Sequence, residues 1–320
     1  MGQFDPQSIP AKILRVRSNL IDADVSSVNF TLTTIDDDGF CDTEFCTSNG
    51  QFEEYIHTLC DFHLISTSHD GTTSSMHALV QLATCRWLQS EGSLEDWKHQ
   101  RVLNLRSCIP TKTGVSFTKL DNQAWGFLRP HLRSAAQQRP KHRSSQDRWA
   151  LLLFRAAKLA FSAGSLSDAD MLITRAVDTY EDLYGLDDDC RMNCMSGLTM
   201  IRLKQARFAE AKAVQLQITR YHRKNYPDEL EVIMECNDKL ALYYQHLDEL
   251  DEAIQLLEES TDTRREVRGR KSSAYLASLS NLTTALFQKG RYTDAGLAFE
   301  EVYQGFQELY GSSDIQTLTV

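Results

Sequence analysis

Apolar residues in the second half of the chain fall at helical spacing. Leu276, Leu279, Leu282 and Leu286 lie on one stripe, which predicts a helix over Tyr275–Gln288. Gly290 follows as a stop, because glycine takes a left-handed backbone without steric cost. A second helix opens near Thr293-Asp294 and runs to Leu309-Tyr310-Gly311. The pattern returns at a constant step of 42 residues. Ala169, Ala211, Ala253 and Ala295 share one phase, and Leu166, Phe208, Leu250 and Tyr292 share another, three residues earlier. Leu183-Tyr184-Gly185, Asn225-Tyr226-Pro227 and Val267-Arg268-Gly269 close the earlier units at the same step. Gly164 and Gly290 share a phase with Ala206 and Asp248. A fixed period of this length signals stacked helical hairpins rather than an ordinary bundle. Each unit reads as a helix A and a helix B. The alanine stands at the start of B, where a small side chain lets the two helices approach closely.

The first half has a different texture. Asp5-Pro6-Gln7-Ser8-Ile9-Pro10 reads as a turn and Ala11–Leu20 as a helix. Residues 22–50, with Asp36-Asp37-Asp38-Gly39 at their centre, read as a mobile acidic loop. Phe52–Cys60 is a short amphipathic helix. Phe62–Ser66 and Thr72–Met76 read as strands around the turn signal His69-Asp70-Gly71. His77–Gln89 is a helix patterned by Leu79, Val80, Leu82, Ala83, Trp87 and Leu88. Helix, hairpin and helix make a winged-helix arrangement. Leu94–Leu105 and Asn122–Ala136 are helical, and the basic stretch Gln137–Arg148 marks a joint. The expected organisation is an N-terminal helix and loop over 1–50, a winged-helix-like domain over 51–93, a helical spacer over 94–149, and repeats over 150–320. The repeats divide at about 150–189, 190–231, 232–273 and 274–315. The fold class is therefore mainly α: an α-solenoid of four 42-residue hairpins, preceded by a small winged-helix domain and a spacer.

Composition narrows the function classes. With 320 residues, 42% hydrophobic, 15 Gly and 6 Pro, the chain is neither low-complexity nor wholly disordered. Its formal net charge of −10 repels phosphate backbones, and the 77–89 helix carries only Arg86, so nucleic acid is not an expected partner. No apolar run approaches the ~20 residues of a membrane helix. The eight cysteines are scattered without a Cys-x-x-Cys pair, which suits reduced thiols in a cytoplasmic protein. The chain shows no Gly-x-x-x-x-Gly-Lys-Ser/Thr loop, no Gly-x-Gly-x-x-Gly, no Gly-x-Ser-x-Gly and no His-Glu-x-x-His. Cys190 and Cys194 could face one metal, but no further ligand has local spacing, and buried small hydrophobes is the simpler reading. Cys60 and His63 form no dyad, because nothing orients the histidine. The chain is expected to be no enzyme, with no metal and no cofactor of its own.

The 42-residue columns over 150–320 resemble the tetratricopeptide repeat in its long form, as in kinesin light chains and many fungal proteins. The helix-A leucine of that repeat is met by Leu198, Leu240 and Leu282, with Ala156 in the first unit. The small residue after it is Ala157, Thr199, Ala241 and Thr283, and Arg202 stands where an aromatic or aliphatic residue is usual. The resemblance implies a groove lined by helix-A side chains that takes a protein or peptide ligand. In this register the groove residues are Lys158, Asn193, Ser196, Met200, Lys204, Glu235, Asp238, Leu242, His246, Ser280, Thr284 and Gln288. Ser312–Val320 reads as the opening of a fifth unit without a polar cap, so self-association through this end is expected.

A second resemblance spans about residues 3–132. Asp5-Pro6-Gln7-Ser8-Ile9-Pro10, Leu64-Ile65-Ser66, Ser75-Met76-His77-Ala78-Leu79-Val80-Gln81-Leu82-Ala83-Thr84, Arg86-Trp87-Leu88, Trp125 and Leu128-Arg129-Pro130-His131 resemble the region after the NB-ARC ATPase in fungal NOD-like (STAND) proteins. In that family a winged helix joins the nucleotide-binding domain to tetratricopeptide repeats. The resemblance implies that His77 senses the β-phosphate of ADP, with Ala78 replacing the aspartate of the plant Met-His-Asp motif. ADP or ATP would then be held only through an NB-ARC domain missing from this chain, carried by the same protein or a separate one. Two functions follow. The first is a non-catalytic ligand-sensing fragment of a STAND signalling protein. The second is a stand-alone scaffold of kinesin-light-chain type that binds peptides.

Overall fold

The computed structural model describes residues 9–10, 49–69, 73–110 and 119–311. The expected helix at 11–20, the loop over 22–48, the turn residues 70–72 and the expected fifth unit from 312 lie outside the described residues. The chain divides into two compact units, residues 1–197 and 198–320. Each is mainly α.

The first unit opens with a three-stranded antiparallel sheet in the order β1-β3-β2, formed by β1 (Ile9–Pro10), β2 (Ile65–Thr67) and β3 (Thr73–Met76). Ile9-Pro10, expected as part of a turn, is a strand at the sheet's edge. That is where proline is tolerated, since it has no N–H to give a central ladder. Ile65 pairs with Met76 and both are buried, while Ser66 and Ser75 join their hydroxyls at 2.7 Å. Helix α1 (Asn49–Asp61) precedes β2, so the last two residues of the expected loop are already helical. Helix α2 (Ala78–Ser90) follows β3. The predicted helix–hairpin–helix order is present, with β1 as an added strand.

Four helices build the core of this unit: α3 (Leu94–Cys108), α4 (Lys119–Gln137), α5 (Arg143–Ser162) and α6 (Leu166–Tyr184). Leu105, Leu132, Leu152, Leu153 and Leu159 are fully enclosed. α5 starts at Arg143, inside the stretch expected to be a joint. Ser145 and Trp149, four residues apart, are both buried, and the Trp149 indole N–H donates to the Ala135 carbonyl at 2.9 Å. These contacts draw a polar segment into the helix. α4 is pinned to α6 by Asp168, a buried carboxylate that accepts from Arg129 at 2.7 Å and lies 3.1 Å from Arg133. Helix α7 (Asp189–Lys204) carries the division between the units.

The second unit continues with α8 (Phe208–Asn225), α9 (Leu230–His246), α10 (Leu250–Arg268), α11 (Ser273–Gln288) and α12 (Tyr292–Tyr310). Each packs on the next in chain order, and α9 also touches α11. This is a stack of helical hairpins. The B helices α6, α8, α10 and α12 begin at Leu166, Phe208, Leu250 and Tyr292, the phase read from the sequence. The four alanines of the repeat column are buried. Leu276, Leu279, Leu282 and Leu286 form the centre of the last hairpin, with Ala253, Leu257, Val302 and Phe306 against them.

Candidate interaction surface

Two helix-A columns stay uncovered, one in all four repeats and the other in the last three. Lys158, Met200, Leu242 and Thr284 share a phase and all four are exposed. Lys204, His246 and Gln288 share another and are exposed too. A phase left bare in each hairpin is one where no neighbouring helix sits. Asn193, Ser196, Glu235 and Ser280 are half-buried. Some of these groups have partners inside the fold. The Lys158 ammonium lies 5.9 Å from the Phe154 ring centroid. His246 stacks on Phe208 at 4.2 Å between centroids, with the rings only 4° from parallel.

Asp238 stands apart from the exposed columns. Arg264 of α10 donates to it, and the same guanidinium lies 3.2 Å from Glu231 and bonds Ser278 of α11. Burial raises the Asp238 carboxyl, and the adjacent Arg264 offsets only part of that. Asp238 therefore ties α9 to α10 within one hairpin, and Arg264 extends the tie to α11 of the next. Periodicity did not single this cluster out, yet the sequence carries a signal for it. Arg264 occupies the phase held by Tyr180, His222 and Phe306 in the other units, a place for large, mostly buried side chains. A charge at such a phase needs partners.

The last described hairpin differs from the others on one face. Leu257 is 1% exposed and Phe299, one step later, 44%. Thr261 is 5% exposed and Tyr303, its successor, 40%. In the earlier hairpin α11 covers these phases of α10. Among the described residues nothing plays that part for α12.

His77 caps the N-terminus of α2. Its ring Nδ1 accepts the Leu79 N–H at 3.2 Å, so in the neutral ring the proton sits on Nε2. An exposed imidazole held this way presents an N–H donor. α2 itself is barely packed: Leu88 is its buried residue, while Leu79, Leu82 and Trp87 are exposed. The sequence pattern alone would place all of them in a core.

The candidate cysteines are inert by environment. Burial pushes the Cys190 thiol up to about 12 and the Cys194 thiol well above its ordinary value. Among the described residues no group of three or more His, Cys, Asp or Glu side chains is placed to hold a metal. His63 closes α1 in a left-handed conformation, φ 56°, and its Nδ1 lies 3.1 Å from the Asp61 carbonyl. It is a helix terminator, with its ring engaged locally. No helix of the described residues is long and apolar enough to cross a membrane.

Residues 233–319 match the family model of the tetratricopeptide repeat. No curated protein matches the chain. Among solved structures, the nearly identical TPR-like repeats of a Podosopora anserina protein described as a kinesin light chain align with a TM-score of 0.53 at 16% identity, over 67% of this chain and 96% of that one. BtubC (BKLC) from P. vanneervenii aligns with a TM-score of 0.50 at 13% identity, over 72% of this chain and 88% of its own. At such identities the likeness is one of fold. The stacked hairpins share the tetratricopeptide-like fold of these structures.

Proposed function

We propose that this chain is a non-catalytic interaction segment whose helix-A side chains grip a protein or peptide ligand. The observation that carries the reading is the pair of bare columns in the second unit, Met200, Leu242, Thr284 and Lys204, His246, Gln288. They mix cations, acceptors and short apolar groups at a regular interval, which suits an extended chain or a helix. Asn193, Glu235 and Ser280 flank them, and Asp238 supports them from within. The test is capture of partners by the full chain against a Met200→Glu/Leu242→Glu variant. Both positions are exposed, so the fold should persist. Loss of the captured partners supports the reading, and unchanged capture by a folded variant defeats it.

The fuller reading makes the chain the part of a STAND signalling protein that follows its NB-ARC ATPase. Residues 51–93 act as the winged-helix link, and the repeats pass a binding event to the nucleotide domain. Two features support it: the uncovered Leu79, Leu82 and Trp87 on α2, which suit a missing neighbour, and the Nε2 donor of His77 beside them, which suits a phosphate oxygen. Co-expression with a separate NB-ARC domain tests it. His77→Ala should then lower ADP retention, and unchanged retention counts against the sensor role. The alternative, a stand-alone peptide-binding scaffold of kinesin-light-chain type, is favoured by the shared fold and predicts no effect of an NB-ARC domain.

The exposed Phe299 and Tyr303 suit self-association through the last repeat. Light scattering at high concentration should show dimers that Phe299→Glu/Tyr303→Glu dissolves. A monodisperse wild-type monomer would remove this part of the proposal.

A further inference from the structure

The second unit holds a pocket of about 260 Å³ away from the helix-A columns. It lies between the B helices α10 and α12. Tyr275, Leu279 and Leu282 of α11 form its floor, and Leu297 and Ala298 of α12 one wall. Glu258, Asp262 and Glu301 stand around it with a single guanidinium, Arg265.

Two local departures from the repeat open this space. One step earlier the phase of Ala298 is held by Leu256, whose side chain packs into the core. The phase of Arg265 is held by Arg223, which reaches across to Glu259 of the next B helix at 2.9 Å and to Asn237 at 3.2 Å. That bridge closes the equivalent gap. Arg265 instead pairs along its own helix with Asp262 at 2.8 Å, so it does not cross to α12. Glu301 and Glu258 have Arg270 and Arg291 only at 3.8 Å, which leaves hydrogen-bonding capacity on both carboxylates. Glu301 also accepts from the Tyr275 hydroxyl at 2.9 Å. On the third side, Thr261 is 5% exposed and its hydroxyl oxygen has no hydrogen-bond partner in the structure.

We propose that this pocket receives a peptide that presents one aliphatic side chain flanked by lysine or arginine. The apolar floor takes the aliphatic group. Three carboxylates line the pocket against one lining guanidinium, and Arg270 and Arg291 come no nearer than 3.8 Å to two of them, which favours cations on either side of the aliphatic group. The volume lies below the ~300–1,000 Å³ of pockets that enclose a whole small molecule, so a single side chain is the natural fill.

The probe is fluorescein-labelled acetyl-Lys-Ile-Leu-Lys-amide, read by anisotropy with the full chain at low salt. Its twin carries glutamates in place of the lysines. The basic peptide should bind saturably and at least about ten-fold more tightly than the acidic one. Ala298→Leu, which restores the residue of the preceding repeat, should weaken binding about ten-fold while the unfolding temperature holds or rises. Glu258→Gln/Glu301→Gln should erase the preference between the peptides without lowering affinity for the acidic one, and it decides the matter if Ala298→Leu misfolds. Met200→Glu/Leu242→Glu should leave this binding unchanged, which separates it from the helix-A surface. The proposal is overturned by equal affinity for both peptides, by absence of saturable binding, or by unchanged binding in folded Ala298→Leu.

Discussion

Ala206 and Asp248 carry the same left-handed backbone, φ 58° and 62°, where Gly164 and Gly290 stand in the flanking hairpins with φ 74° and 82°. The turn after each helix A closes with the same backbone bond, reaching back five residues. Ser165 N–H donates to Ala160, Arg207 to Arg202, Glu249 to Tyr244 and Arg291 to Leu286, at 2.8–2.9 Å. Two units therefore hold a strained residue where the other two hold glycine.

Substituting Ala206→Gly should raise stability by about 0.5–1 kcal/mol, since no contact is lost at an exposed site and the left-handed strain is removed. Asp248→Gly should gain less, because Asp tolerates this conformation better. Gly290→Ala should cost a similar amount. Urea unfolding midpoints of the three variants provide the check.

Arg264 ties Glu231, Asp238 and Ser278 together with only 5% of its side chain exposed. Arg264→Ala removes the ion-pair partner of Asp238 and leaves Glu231 with only Arg268, at 3.7 Å, at the contact between α9, α10 and α11. The expected loss is about 3–5 kcal/mol. Arg264→Lys should also be costly, because an ammonium lacks the planar fork that serves three acceptors at once. Thermal unfolding of both variants distinguishes this from an ordinary surface change, for which the shift is small.

Gly305 lets α12 lie against Leu276. A Cβ added there would meet Leu276 Cδ2 at 2.5 Å and Cγ at 3.2 Å, and Leu276 is fully buried. Alanine gains about 1 kcal/mol of helix propensity at an ordinary site. Here overpacking should reverse the sign and give a net loss of about 1–3 kcal/mol. The companion Leu276→Val/Gly305→Ala should recover part of it, measured by denaturant unfolding.

His99 joins α3 to α5. The Arg148 guanidinium lies 3.1 Å from its Nε2, and its Nδ1 lies 2.9 Å from the Ser145 hydroxyl. Arg148 can only donate, so Nε2 accepts and the neutral ring gives its Nδ1–H to Ser145. Burial first, and the Arg148 charge second, hold the imidazole below its ordinary value of 6.5, against a smaller opposing pull from Asp96. Below that ordinary value the unfolded chain binds the proton more readily than the folded one. This contribution to stability is therefore full above pH 6.5 and falls as pH drops toward the lower folded value. Thermal unfolding between neutral pH and pH 5 should show that decline, and His99→Gln should flatten it.

The repeat was legible in the sequence because burial acts on it through a local rule. Stacked hairpins bury the same phases again and again, so Ala169, Ala211, Ala253 and Ala295 stand as a column in the amino-acid order itself. Of the helix-A positions, the exposed Lys158, Met200, Lys204, Leu242, His246, Thr284 and Gln288 were reachable by the same counting. Asp238 was not distinguishable from them, because its ion pair joins it to Arg264, more than six helical turns along the chain. The start of α5 at Arg143 was hidden for a related reason: Trp149 finds its acceptor in Ala135, on another helix.

Periodicity along one chain reports how often a side chain must be covered, and that alone determined the hairpins, their turns and the bare columns. It cannot report which group covers it. The Arg264 cluster, the uncovered Leu79, Leu82 and Trp87 on a helix patterned like a core element, and the gap left where Ala298 follows Leu256 were decided by packing between elements. The physical reason is that spacing along a helix is set by its own geometry, whereas contact requires a second surface whose shape depends on residues far away in sequence.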